Sequence, residues 1–216
     1  MLFVRLFSVL ISLTACQSHA ALSDMSRIYR QTPSLQSFEI CFGGGCAETT
    51  QLEITQQEWQ KVIHLFETHP PVNAVQEREL IAQAIGLLEK IVGEKIGTTA
   101  DIAGTFYHGT LNGQLDCNDE AINTTTYIRL MHQEDLIKWH VTEDTRTRSF
   151  FFTGWPHSTA MIHDINTGER FAVDSWFYDN GKPATIVPFA IWKSGYRPAD
   201  SPIDQVRTTV TNSPAP

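Results

Sequence analysis

No cluster of lysines and arginines marks this 216-residue chain: 16 basic residues stand against 24 acidic ones, for a formal charge of −8. Scattered basic residues argue against a nucleic-acid partner, because phosphate binding needs concentrated positive charge. Cysteine is scarce. Four are too few for a miniprotein built on disulfides, but enough for one bridge and one working thiol. Internal repeats are absent, and no apolar run is long enough to cross a bilayer of about 30 Å as a helix. Charged residues are only 19% and hydrophobic ones 42%, so the chain can bury a core. That composition excludes a disordered or collagen-like protein and fits one ordinary domain or two very small ones.

The N-terminus has the layout of an export signal. Arg5 precedes the apolar run from Leu6 to Leu13, which suits a signal-peptide core. Leu13-Thr14-Ala15-Cys16 resembles the bacterial lipobox, in which the cysteine is lipidated and becomes the mature N-terminus. A rival cut lies after Ser18-His19-Ala20 and would give plain secretion. The expectation is a protein of the bacterial cell envelope, tethered to a membrane through Cys16 and facing the periplasm, with a soluble periplasmic or secreted form as the alternative.

In an oxidising compartment Cys41 and Cys46 are placed to pair. Phe42-Gly43-Gly44-Gly45 lies between them, flanked by expected strands at 37–40 and 47–54, and glycine permits the positive φ of a tight turn. A metal or redox pair is the alternative, with no third ligand nearby in sequence. Pairing these two leaves Cys117 as the odd cysteine, either a core residue or a reactive thiol.

The rest of the chain reads as helices followed by strands. Thr55-Gln56-Gln57-Glu58 fits a capping box, Trp59, Val62, Ile63 and Phe66 follow at helical spacing, and His69-Pro70-Pro71 stops the helix. A second helix over 75–96 carries Ile81, Ala84, Ile85, Leu88 and Val92 on one face and ends at Gly97. Gly86 and Gly93 lower its propensity, so tertiary packing must hold it. After a turn-rich stretch, Asp116 caps a helix over 117–131 whose inward face is Cys117, Ala121, Thr124, Ile128 and Met131. Strands are expected at 138–143, 149–153, 158–164 and 170–177, with Asn166-Thr167-Gly168 turning the last pair and an edge strand at 184–192 broken by Pro188. Residues 1–15 form the signal, 16–36 a linker, 37–197 a single α+β domain and 198–216 a flexible tail.

Cys117 opens a helix, where free N–H groups and the dipole favour a thiolate and can also receive an oxyanion. A nucleophilic thiolate needs a histidine to carry protons, and that histidine needs an orienting acid. His157 and Asp174, seventeen residues apart, fall on two strands joined by the Asn166-Thr167-Gly168 turn, within cross-strand reach. His163 is a competing histidine nearer the turn. Gln114 is a candidate oxyanion donor, with a plain turn residue as the alternative.

Gly113-Gln114-Leu115-Asp116-Cys117-Asn118-Asp119-Glu120-Ala121 resembles the nucleophile segment of the transglutaminase-like superfamily. Leu136 to Val141 resembles the strand that follows, without the family's usual glycine. His157 to Ile162 is similar to its histidine strand, and Phe171 to Trp176 to its aspartate strand. The resemblance covers roughly residues 100–180. It implies a papain-like core with Cys117 as nucleophile, His157 as general base and acid, and Asp174 as orienter. The exported bacterial cysteine proteinases of this superfamily are the nearest in character, and some bind calcium through acidic residues beside the cysteine. Asp116, Asp119 and Glu120 stand in that position here, and a cation would relieve their repulsion of a thiolate.

Two function classes follow. The first is an acyl-transfer enzyme, a peptidase or amidase acting on a protein or peptide in the envelope; it requires no cofactor, and calcium is an option. The second is a catalytically silent lipoprotein using the same fold as a binding module. A redox protein built on Cys41 and Cys46 is a weaker third, because their spacing is not the two-residue gap of thioredoxin-type sites.

Overall fold

The computed structural model describes Ile28 and residues 31–106, 113–148 and 156–203. Two strands, β1 (Phe38–Phe42) and β2 (Glu48–Leu52), form an antiparallel hairpin. Three helices follow: α1 (Gln56–Thr68), α2 (Ala74–Ile96) and α3 (Cys117–Gln133). A four-stranded antiparallel meander, β3 (His140–Arg148), β4 (His157–Asp164), β5 (Arg170–Asp174) and β6 (Thr185–Pro188), then leads into the short helix α4 (Phe189–Lys193). The fold is mixed helix and antiparallel sheet, as the order of patterns along the chain predicts.

Local chemistry sets the helix ends. Thr55 and Glu58 make the reciprocal capping box at the start of α1, and Trp59, Val62 and Phe66 face the core. Asn73 caps α2, and Gly97 closes it in the left-handed region at φ 82°. Glycine is also required inside α2. A Cβ on Gly86 would stand 2.6 Å from the Lys182 carbonyl oxygen, so the glycine opens the channel through which the 181–182 turn crosses the helix.

Helix α3 is buried on nearly every side, between the hairpin and the meander. Its threonines, poor helix formers, are accommodated because Thr125 and Thr126 donate to the carbonyls of Ala121 and Ile122 one turn back. The main core joins Trp59, Ile81, Ile85 and Leu88 of α1 and α2 to Ile128 and Leu130 of α3 and Ile162 and Val173 of the sheet. A second cluster gathers Cys117, Met161, Ala172, Trp176, Phe177 and Trp192.

Several boundaries depart from the sequence reading. Strand β3 starts at His140 and runs on to Arg148 with a bulge between Glu143 and Arg146. The strand expected at 149–153 lies outside the described residues, as do the signal segment and Cys16. The expected edge strand splits at Pro188, which ends β6 and sits as the cap of α4, because its fixed φ suits a helix start. The packed chain also extends past 197: Ile203 is buried, Ser201 Oγ donates to the Phe177 carbonyl at 2.6 Å, and the Tyr178 hydroxyl donates to Asp200 at 2.6 Å. In the expected linker, Leu35 is buried and Ser34 bridges to Ser37. Among the described residues, no helix is long and apolar enough to cross a membrane.

Candidate active site

Register brings the histidine and the acid together. β4 pairs with β5 so that Ala160 faces Val173. Continuing that ladder sets Asp174 beside Thr159, with His157 two residues further along the same face, a diagonal rather than a direct opposition. His157 Nε2 and Asp174 Oδ2 are 2.6 Å apart, and both residues are buried. His163 faces Arg170 in the same ladder and reaches Glu143 at 3.2 Å instead, which removes it from competition for Asp174.

The imidazole sits among aromatic rings, 4.5 Å from Trp176, 5.4 Å from Phe177 and 5.6 Å from Trp192 between centroids. Trp192 has a second role: its Nε1–H donates to Asp174 Oδ2 at 2.6 Å. Arg148 lies 4.8 Å over the Trp192 ring and donates to the carbonyls of Trp192 and Tyr196 at 2.7 and 3.1 Å. Sequence reasoning passed over Trp192, because nothing local to an indole says which acceptor it will find. With Nε2 engaged by the acid, His157 Nδ1 is buried without a hydrogen-bond partner.

Cys117 occupies the first turn of α3, with Asp116 as N-cap accepting from the N–H groups of Asn118 and Asp119 at 2.9 and 3.0 Å. The sulfur lies against the backbone N–H of Ser158, the residue that follows His157. Ser158 Oγ donates to Asn118 Oδ1 at 2.7 Å, which ties the helix start to the histidine strand. Cys117 is 7% exposed. Burial pushes its thiol up to about 12, and the charges of Asp116 and Asp174 act the same way, against the N–H groups of Ser158 and of Cys117 itself. The lowered thiol expected from the helix dipole alone is therefore corrected: desolvation and two carboxylates outweigh it.

No family model, curated protein or solved structure matches the chain.

The remaining sequence candidates have other partners. Gln114 accepts from the Ile102 N–H and the Thr105 hydroxyl at 3.1 and 3.0 Å, and its Nε2 donates to the Ala100 carbonyl at 2.9 Å, so it braces the 100–105 turn. His140 is buried between Glu77, at 2.8 Å, and Arg78, at 3.0 Å. Cys41 and Cys46 form a disulfide with Cα atoms 4.7 Å apart.

The three acidic residues beside Cys117 do not fit a calcium shell. Asp116 and Asp119 turn their oxygens to backbone N–H groups of residues 44–46, 118 and 119. Glu120 instead points inward, accepting from Ser175 and lying against Asp101. Among the described residues no group of three or more His, Cys, Asp or Glu is placed to hold a metal ion. Behind the helix, Glu89, Asp101 and Glu120 form a buried acidic group. Burial and mutual repulsion push Asp101 up to about 9, Glu120 up to about 7 and Glu89 well above its ordinary value.

Proposed function

We propose that this protein is a cysteine-nucleophile acyl-transfer enzyme, most simply a peptidase or amidase of the transglutaminase-like kind, acting on protein or peptide amides in the bacterial cell envelope. The observation that carries the reading is the His157–Asp174 pair at 2.6 Å, with the second imidazole nitrogen unpartnered and the N–H of the next residue, Ser158, against the sulfur of Cys117 in the first turn of a helix. Asp174 holds the Nε2–H tautomer, which leaves the Nδ1 lone pair as the base.

Because the resting thiol keeps its proton, the step begins with transfer rather than from a standing thiolate. The Cys117 proton passes to His157 Nδ1 as the sulfur forms a bond to the amide carbon, and the carbonyl electrons move to its oxygen. The helix start, where backbone N–H groups lack intrahelical acceptors, is the donor side offered to the developing oxyanion. The oxyanion collapses, the C–N bond breaks, and His157 returns the proton to the leaving amine. Water then attacks the thioester with His157 again as base, releasing a carboxylic acid and the thiol. No step runs through calcium. Lipid anchoring through Cys16 belongs to the same reading and is tested by Cys16→Ser, which should release the protein from membranes.

The burial of Cys117 favours a second reading, a catalytically silent binding module. Alkylation of the folded protein with iodoacetamide separates the two. An enzyme labels at Cys117 at pH 7, and His157→Ala slows the reaction by about 10²-fold, the size of a general-base contribution. Labelling only after denaturation supports the binding module.

A further inference from the structure

The β1–β2 turn is built to grip the helix that carries the nucleophile. Gly43, Gly44, Gly45 and Cys46 all take left-handed φ values, 84°, 79°, 62° and 58°. Consecutive residues in that conformation turn their N–H groups toward one side, where they receive anionic oxygens. Here the anions are the chain's own. Gly44 N–H donates to Asp119 Oδ2 at 2.8 Å, Gly45 N–H to Asp116 Oδ2 at 2.7 Å, and Cys46 N–H to Asp119 Oδ1 at 2.7 Å. The other strand holds the same helix one turn on: Asn123 accepts from the Cys41 N–H at 2.8 Å and donates to the Cys41 carbonyl at 2.9 Å. The disulfide joins these two attachment points, and both its cysteines are buried with Ile28 and Ile122.

We infer that the Cys41–Cys46 disulfide is a redox-dependent positioning device for Cys117, holding the glycine turn on the carboxylates that flank the nucleophile. The inference rests on the reading of Cys117 as nucleophile. A dithiol reductant breaks the S–S bond, delivering two electrons and two protons to give two thiols, and itself closes to a disulfide. Three glycines without the crosslink lose the left-handed turn, since no residue type gives up more freedom on ordering. Their N–H groups then leave Asp116 and Asp119. The Asp116 charge, one residue from the sulfur, is left without its partner from the turn, and the thiol proton is held more tightly. Oxidation reverses each change. The thiol is thus held back in a reducing cytosol and readied in an oxidising envelope.

The test measures iodoacetamide alkylation of Cys117 against pH by mass spectrometry, in full-length protein. The oxidised chain is compared with the Cys41→Ala/Cys46→Ala double variant and with Gly44→Pro, which keeps both cysteines and the charge but deletes one donor and forbids the left-handed φ. Both variants should move the profile up by about one pH unit, a rate about tenfold lower at neutral pH. Thermal melting identifies any variant that does not fold, and Gly44→Pro decides if the double variant fails. A folded variant with the oxidised protein's profile overturns the inference and leaves the enzyme reading intact. No labelling of Cys117 in the native oxidised protein overturns both.

Discussion

The indole nitrogen of Trp192 and the imidazole of His157 share one acceptor, Asp174 Oδ2, each at 2.6 Å. The acid is therefore held from two sides, and the indole fixes the oxygen that fixes the imidazole. Trp192→Phe keeps a ring under Arg148 and beside Phe189 but removes the N–H. Loss of a hydrogen bond to a buried carboxylate should destabilise the fold by about 2 kcal/mol and slow Cys117 alkylation roughly tenfold. Urea unfolding and alkylation of the folded variant read the two effects separately. An unchanged rate in a destabilised variant would reduce Trp192 to packing.

The buried acids make stability depend on pH with a definite sign. Unfolded carboxylates ionise near about 4, whereas burial holds Asp101 up to about 9 and Glu120 up to about 7. The folded chain therefore keeps protons that the unfolded chain gives up. Their contribution is complete below about pH 4 and is lost as pH rises through these folded values. Thermal melts from pH 5 to 9 should show a falling midpoint. Asp101→Asn supplies the acceptor for Leu115 and a permanent donor toward Glu120, so it should flatten that fall. A midpoint that rises with pH in the wild type would refute the assignment.

Glu77 ties α2 to the start of β3. Fully buried, it accepts from the backbone N–H groups of Lys138 at 2.6 Å and Trp139 at 2.9 Å, and pairs with His140 Nδ1 at 2.8 Å. Glu77→Ala leaves these donors unpaired inside the protein. The expected loss is about 3 to 5 kcal/mol by denaturant unfolding, far beyond that of an exposed carboxylate.

Gly86→Ala is a substitution whose sign the structure reverses. In an open helix it would gain roughly 1 kcal/mol of propensity. Here the added Cβ meets the Lys182 carbonyl at 2.6 Å, and backbone must shift. Crowding of that kind costs about 1 to 3 kcal/mol, so the melting temperature should fall rather than rise.

What was legible in the sequence was local or periodic. The Thr55 box, the Gly97 stop and the Asp116 cap depend on a few adjacent residues, and the strand ladder follows from alternation about the Asn166-Thr167-Gly168 turn. His157 and Asp174 could be paired because register is arithmetic once a turn is placed. Partners set by distant chain were not legible. Asp116 and Asp119 looked like repelling charges beside a thiol until the glycine turn, some seventy residues earlier, supplied their donors. The run of three glycines before Cys46 was the available signal, since it permits a left-handed stretch whose N–H groups need an acceptor. Gln114 and Trp192 exchanged importance for a similar reason: each polar group took the nearest acceptor or donor that the fold, not the neighbouring sequence, presented.

His157 and Asp174 are carried on strands locked into one ladder, whereas Cys117 rides on a helix packed against them through the core, with Ser158–Asn118, Thr124–Ser175 and Ser175–Glu120 hydrogen bonds across the seam. The sulfur and the ring therefore belong to different elements, and each bond that seats the helix against the sheet or in the glycine turn also sets where the nucleophile stands relative to its base.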